Sequence, residues 1–559
     1  MVSSNVSYLL TAVPYAAAGL LFGAGAAGVA RWKPAWTNAF LLLGILGLAT
    51  HLRLKGLALQ SFWYDELLTI RDTRPPVTFS SMLECSVADN DMPPLFFVLS
   101  WVWLVLFGCT EFTSRLLPAL LGIAGVGAMY GLGRRLVRPS TGLVAAFLTA
   151  ISAFHIQYSQ ELRPYSLLFL ETCVSFWALA VFLETPRPAN AFKYFLISLA
   201  LIYTHYFGLL VLLAQLAIGV LTVMEAPPAR RSLLFWTGGV IGAGLALAFS
   251  FWLPHMLTEL GRTSFWVRRP SADYFLVLYR TFFDFPPLAF CYAVLLGLLA
   301  VLSVTGNWRA MLTAPDRFRW VLLMLISWVL IVLLVPYAHS MNATPVTVAR
   351  YFMTLLPALF LLLALAVDLI AYRPGKVLIL SLITALSALG LFSHSDYYHR
   401  KTKGNWRELA RLLPKEDRAF YLSNAAVWNL PQFYLDQFEK PVKFTIATPE
   451  AFRAACLSSP APHVFWYLNV GMCEMFNDRT VLGMIQHFFQ VDSCIDMREV
   501  TATRYEVRKT LSPEFEALLK SPMETWRGTL TQLRGEVERK RPVRAGKALR
   551  PLAPPEIGQ

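Results

Sequence analysis

Long apolar runs separated by short polar loops fill the first 395 or so positions of this 559-residue chain. A helix needs roughly 20 apolar residues to cross the hydrocarbon of a bilayer. Runs at 8–30, 37–57, 113–133, 141–158, 165–184, 233–253, 288–305, 319–336, 352–370 and 377–393 reach or approach that length. Two shorter spans turning at YTHYFG (203–208) account for 192–224, which makes about 12 spans in all. The run from Pro93 to Phe107 is only about 15 residues and opens on a Pro pair, so it is expected as a juxtamembrane helix on the outer side.

After Phe392 the pattern changes. NWRELARLL reads as an amphipathic helix, and RAFYL (418–422), VKFTI (442–446), HVFWYLNV (463–470) and TRYEV (503–507) read as short strands. The fold class expected is therefore mainly α: a polytopic transmembrane helical bundle with outer juxtamembrane helices and a small C-terminal α/β extracytoplasmic domain. The divisions expected are an extra N-terminal span (1–36), a catalytic bundle (37–395), the α/β domain (396–520) and a basic, disordered tail (521–559).

Composition agrees with the pattern: 56% of residues are hydrophobic and 15% charged, which excludes an ordinary soluble domain. The net charge of +14 does not indicate nucleic acid, because Lys and Arg lie in short loops between apolar runs and in the tail, as membrane orientation requires. Arg31 and Lys33 follow the first apolar run rather than preceding it, the reverse of a cleavable signal peptide. With that loop and GRRLVR (133–138) inside, Asp65, HIQYSQELRPY (155–165), YTHYFG, 254–270 and 337–351 all fall outside. The seven cysteines show no CxxC or Cys/His spacing; Cys456, Cys473 and Cys494 leave room for one disulfide.

The outer side then collects the polar residues of an apolar chain: Asp65 and Glu66, Asp89 and Asp91, His155, Glu161, Arg163, His205, Arg262, Arg268, Arg269 and Arg350. Ionisable groups at a membrane boundary are costly unless paired or functional. Each also has an ordinary reading. Adjacent acids after a helix end are usually solvated, the histidines more often structural than metal ligands, and Arg350 beside Tyr351 a snorkelling side chain.

The ordered motifs WYDE, DNDMPPLFFVLSWVWLVLFG, EFTSRLLPALLG, GRRL, SAFHIQYSQELRPYSLL, YTHYFGLL and ARYFMTLLPALFLLLAL resemble the GT-C superfamily of membrane glycosyltransferases. The resemblance is to the bacterial branch related to dolichyl-phosphate-mannose protein mannosyltransferases and the lipid A aminoarabinose transferase, and it covers roughly 37–395. It implies inverting transfer of a sugar from a polyprenyl-phosphate carrier to a glycan, lipid or protein hydroxyl at the extracytoplasmic face of a bacterial inner membrane. Asp65 matches the first acidic residue of the family's pair and is expected to be the general base, with Glu66 in an orienting role and Glu161 resembling the second acidic site. Arg163 and Arg350 match positions that hold donor phosphate, a task suited to the two parallel donors of a guanidinium. His205, Tyr165, Asp91 and, more loosely, Arg268 join the substrate-binding set. Many relatives carry a basic residue before the Pro pair, where this chain has Met92.

No cofactor is expected: the acids have the oxygens a divalent cation prefers, but the resemblance favours a metal-independent site. The chain has no Gly-rich nucleotide loop, in keeping with a lipid-linked donor. A transporter or flippase is the alternative class, and a non-enzymatic assembly factor a third. A transporter calls for ionisable groups near helix midpoints and a repeat of one half in the other, neither of which is evident.

Overall fold

The computed structural model describes residues 34–525 apart from 89–91, 262–266, 306–314 and several short stretches beyond residue 400. The apolar run 8–30, Asp89, Asp91, Arg262, Cys473 and the tail beyond Thr525 lie outside the described residues. The chain separates into two compact units: one comprises residues up to 60 and 65–402, the other residues 61–64 and those from 403 onward.

The first unit is helical. It begins with α1 (Pro34–Leu54), three short helices α2 (Tyr64–Thr73), α3 (Phe79–Ala88) and α4 (Leu95–Phe107), and the long α5 (Glu111–Leu136). Next come α6 (Pro139–Ile151), α7 (Ala153–Ser159), α8 (Tyr165–Glu184), α9 (Pro188–Thr204), α10 (Phe207–Glu225) and α11 (Pro228–Ser250). The unit closes with α12 (Leu253–Leu260), α13 (Tyr274–Phe283), α14 (Pro286–Thr305), α15 (Pro315–Asn342), a 3-10 turn (Ala349–Leu355), α16 (Leu356–Leu369) and α17 (Arg373–Leu389). Among the described residues nine helices are long and apolar enough to cross a membrane, ten if α6 and α7 form one bent span. The expected helical membrane bundle is thus observed. The run 141–158, expected as one span, bends by 65° because Ser152 leaves helical geometry and its Oγ accepts from His155 N. The run before Phe107 forms the 13-residue α4, too short to span.

Local chemistry sets the helix boundaries that matter here. A capping box between Thr110 and Thr113 starts α5. Pro at the first turn starts α6, α9 and α11. Near the far end of α5 the backbones of α5 and α6 meet at Gly133 and Gly142, where a Cβ on Gly142 would lie 2.5 Å from the Tyr130 carbonyl oxygen. That end is stapled by charge. Asp368 on α16 takes Arg138 Nε at 3.0 Å and the Thr141 hydroxyl, while Lys376 donates to the Asp368 carbonyl at 2.9 Å.

The second unit carries a five-stranded sheet in the order β2-β1-β3-β5-β4, formed by β1 (Phe420–Ser423), β2 (Thr445–Ile446), β3 (Val464–Val470), β4 (Phe489–Met497) and β5 (Val500–Val507). β1 runs parallel to β2 and β3, and β5 pairs antiparallel with β3 and β4. Phe452, Phe489 and Phe515 pack edge to face or tilted in its core. Cys456 is buried and Cys494 exposed, both as free thiols, so the disulfide allowed by the sequence does not join these two.

Gly142→Val should destabilise the bundle by about 1–3 kcal/mol through overpacking, read as a lower Tm in detergent; an unchanged Tm would show that α5 and α6 tolerate separation.

Candidate active site

The first turn of α2 places Asp65 and Glu66 on different faces, since neighbours on a helix diverge by about 100°. Glu66 is fully buried and saturated. Arg115 of α5 grips it through Nε at 2.8 Å and Nη2 at 2.7 Å, and Leu162 N donates to it at 3.1 Å. Arg115 also donates from Nη1 to the carbonyls of Leu57 and Gln60, at 3.0 and 2.7 Å. Glu66 therefore ties α2, α5 and the loop at 160–164 together, with no face left for a substrate.

Asp65 faces the other way. Its Oδ2 lies 3.0 Å from Arg350 Nη2, off the direction of a hydrogen bond, so that oxygen accepts no hydrogen bond from the described residues. Arg163 reaches over the same turn, with Nη1 at 3.2 Å from Thr69 Oγ1 and 3.5 Å from the Asp65 carbonyl oxygen, and Nη2 at 3.5 Å from Met92 Sδ. Burial works against the Arg163 charge, but its neighbours, led by Asp65, outweigh it and hold the guanidinium above the ordinary arginine range.

The loop carrying Glu161 and Arg163 is held from both ends. Gln160 donates to the carbonyls of Arg53 and Lys55, each at 2.8 Å, and accepts from Tyr397 OH at 2.9 Å. Glu161 is buried near Tyr397, whose phenol is pushed well above its usual range by burial first, then by Tyr398 and Glu161. Beneath the loop, Arg53 Nη2 donates to His155 Nδ1 at 2.7 Å, so this histidine has the structural role that its aromatic surroundings suggested.

An aromatic group completes the site. Tyr165 packs 5.2 Å from Tyr158 and 6.4 Å from Tyr351, and the His205 ring lies 4.8 Å from Tyr351. His205 sits at the break between α9 and α10, and its Nδ1 accepts from Phe207 N at 3.1 Å. The ring proton is thereby placed on Nε2, a buried atom with no partner among the described residues. Burial, then the charges of Arg163 and Arg350, pull the His205 pKa down to about 3. Next to this group lies a cavity of about 320 Å³. Met92, His205 and Tyr351 line it on the side of this group, Glu259, His339 and Thr344 add polar groups, and residues such as Leu210, Met256 and Val335 give it apolar walls.

Of the residues singled out in the sequence, Asp65, Arg163, Arg350, Tyr165 and His205 converge, with Glu161 on the same loop as Arg163. Arg268 does not join them: its side chain is exposed on the loop before α13. Asp91 is outside the described residues. Arg115, Tyr158, Tyr351 and His339, the last a lining residue of the cavity, were not singled out. An arginine inside an otherwise apolar helix, as in EFTSRLL, was the available sign for Arg115. Among the described residues no three His, Cys, Asp or Glu side chains cluster as metal ligands.

Residues 91–257 match the family model of dolichyl-phosphate-mannose-protein mannosyltransferases. No curated protein matches the chain. Among solved structures, ArnT from Cupriavidus metallidurans in the apo state is similar with a TM-score of 0.51 at 14% identity, over 84% of this chain and 98% of that one. ArnT bound to undecaprenyl phosphate gives 0.47 at 15%, over 85% and 98%. The Archaeoglobus fulgidus oligosaccharyltransferase in its apo form gives 0.47 at 12%, over 79% and 70%. The chain has the GT-C fold of membrane glycosyltransferases, and the resemblance read in its motifs holds.

Two outcomes are expected. Glu66→Ala strands the buried Arg115 charge and should cost about 3–5 kcal/mol of stability, seen as loss of folded protein; near-normal Tm would contradict the positioning role. His205 should stay neutral down to pH 5 by NMR. Because an unfolded histidine takes up a proton below about 6.5 and the folded one does not, its contribution to stability falls as pH drops from 6.5 towards 3. Titration near 6.5 in the folded protein would contradict its burial.

Proposed function

We propose that the chain is an inverting glycosyltransferase that moves a sugar from a polyprenyl-phosphate carrier to an acceptor hydroxyl at the extracytoplasmic face. The observation that carries this reading is the placement of one carboxylate, two guanidiniums and an apolar cavity side by side. The cavity suits the first isoprenoid units of a lipid carrier, and the arginines suit its phosphate.

In this reading Arg350 leaves Asp65 for the incoming phosphate, and Arg163 supports the same group. An acceptor hydroxyl then attacks the anomeric carbon from the side opposite the phosphate. Asp65 Oδ2 takes the hydroxyl proton, the bond between the anomeric carbon and the phosphate oxygen breaks, and that oxygen keeps the electron pair. The product phosphate is stabilised by the guanidiniums, and the configuration at carbon is inverted. Glu161 orients acceptor or sugar hydroxyls, and Tyr165 OH and His205 Nε2, both buried and without partners among the described residues, supply neutral donors to the donor headgroup. The excess of basic residues in loops on the opposite side of the bundle supports the extracytoplasmic placement.

Purified protein given a labelled polyprenyl-phosphate sugar and an envelope extract should release polyprenyl phosphate. Asp65→Asn should lower that rate by about 10²–10⁴ in the protein that folds, with Tm reporting the folded fraction; retained turnover would reject Asp65 as the base. Arg350→Ala should weaken donor binding by about 10- to 100-fold, the scale of a charged hydrogen bond, and an unchanged affinity would remove it from the site.

A further inference from the structure

At the opposite end of the bundle a second cavity, about 540 Å³ in volume, opens among the ends of α5, α8, α10, α11 and α15. The 20 residues of α5 from Arg115 to Arg135 separate the two sites by about 30 Å at the rise of an α-helix. Leu136, Ile218, Val321 and Met324 give this cavity an apolar interior, and Trp320 stands at its edge, where an indole suits a membrane interface.

The rim is charged, and its signs are balanced. Arg135 forms an ion pair with Glu184, and Arg230 donates from Nη2 to the Leu183 carbonyl at 2.6 Å. Glu225 stands exposed beside them. Glu184 and Glu225 are each the last residue of a helix, α8 and α10, where the helix dipole disfavours an anion. Two carboxylates at two negative helix ends and two guanidiniums line the same rim, which therefore offers partners both to a cation with several hydrogen-bond donors and to an oxyanion.

We propose that this cavity holds a phospholipid with a phosphoethanolamine head, its primary ammonium on Glu225 and Glu184, its phosphate on Arg230 and Arg135, and an acyl chain against α15. A phosphoglycerol head would bring negative charge to the glutamates without an ammonium. A phosphocholine head lacks the N–H donors that carboxylates accept. The lipid joins α8, α10 and α15, and α10 and α15 also supply walls of the cavity beside Asp65.

Native mass spectrometry of the purified full chain, given phosphatidylethanolamine, phosphatidylcholine or phosphatidylglycerol in turn, tests this. The ethanolamine lipid should be retained about fivefold more than either other, and Glu225→Gln should lower its retention by about fivefold, the scale of one exposed ion pair. Tm of the variant without lipid reports whether it is folded. Equal retention of the three lipids, preference for phosphatidylglycerol, no retained lipid, or unchanged retention in folded Glu225→Gln would overturn the proposal.

Discussion

The contact between Asp65 and Arg350 joins residues 285 positions apart (350 − 65), from the first turn of α2 to the 3-10 turn before α16. Both side chains are largely buried, Asp65 at 10% and Arg350 at 13% exposure. Charges withdrawn from water this far are expensive unless each meets an opposite charge, and the loss of one partner leaves the other stranded. This pairing therefore fixes where two distant segments of the helical unit meet. Its geometry is also poor for a hydrogen bond, which leaves the Asp65 oxygen open to a better partner. Under the proposed function, such a pair satisfies both charges when the site is empty and yields when a phosphate arrives for the arginine and a hydroxyl for the acid.

Around that pair the protein builds a frame in which the adjacent acid has a different task. Glu66 is consumed by Arg115 and Leu162, and the same Arg115 closes the loop after α1 through Leu57 and Gln60. Gln160 and Tyr397 anchor the next loop. The two neighbours of one acidic pair thus differ: one orders the backbone, and the other meets Arg350. Arg163 passes beside Met92, so a guanidinium from the loop lies against the residue that precedes the Pro pair.

Much of the fold was legible because lipid imposes a simple length rule on apolar helices. Runs such as 165–184 and 288–305 reappear nearly unchanged as α8 and α14. The bend at Ser152 was hidden because a serine cap inside an apolar run barely alters hydropathy. Strand β4, FQVDSCIDM, was missed since it alternates imperfectly and carries a register shift between Val491 and Ser493. At the site, Asp65, Arg163, Arg350, Tyr165 and His205, all carried by motifs, came together, while Arg268, grouped with them on the basis of charge and side alone, is exposed on the loop before α13. Arg115 was overlooked although it lay in a quoted motif, because a buried ion pair is a relation between two segments and no single segment displays it.

The central claim is that Asp65 and the donor phosphate compete for Arg350. The equilibrium affinity for polyprenyl phosphate tests it most directly, measured on wild-type protein and on Asp65→Asn at neutral pH. With the competing carboxylate neutralised, the lipid phosphate should bind more tightly even though turnover is lost. Equal or weaker binding in the folded variant would show that Arg350 is not shared between the two, and the account of the site would fail.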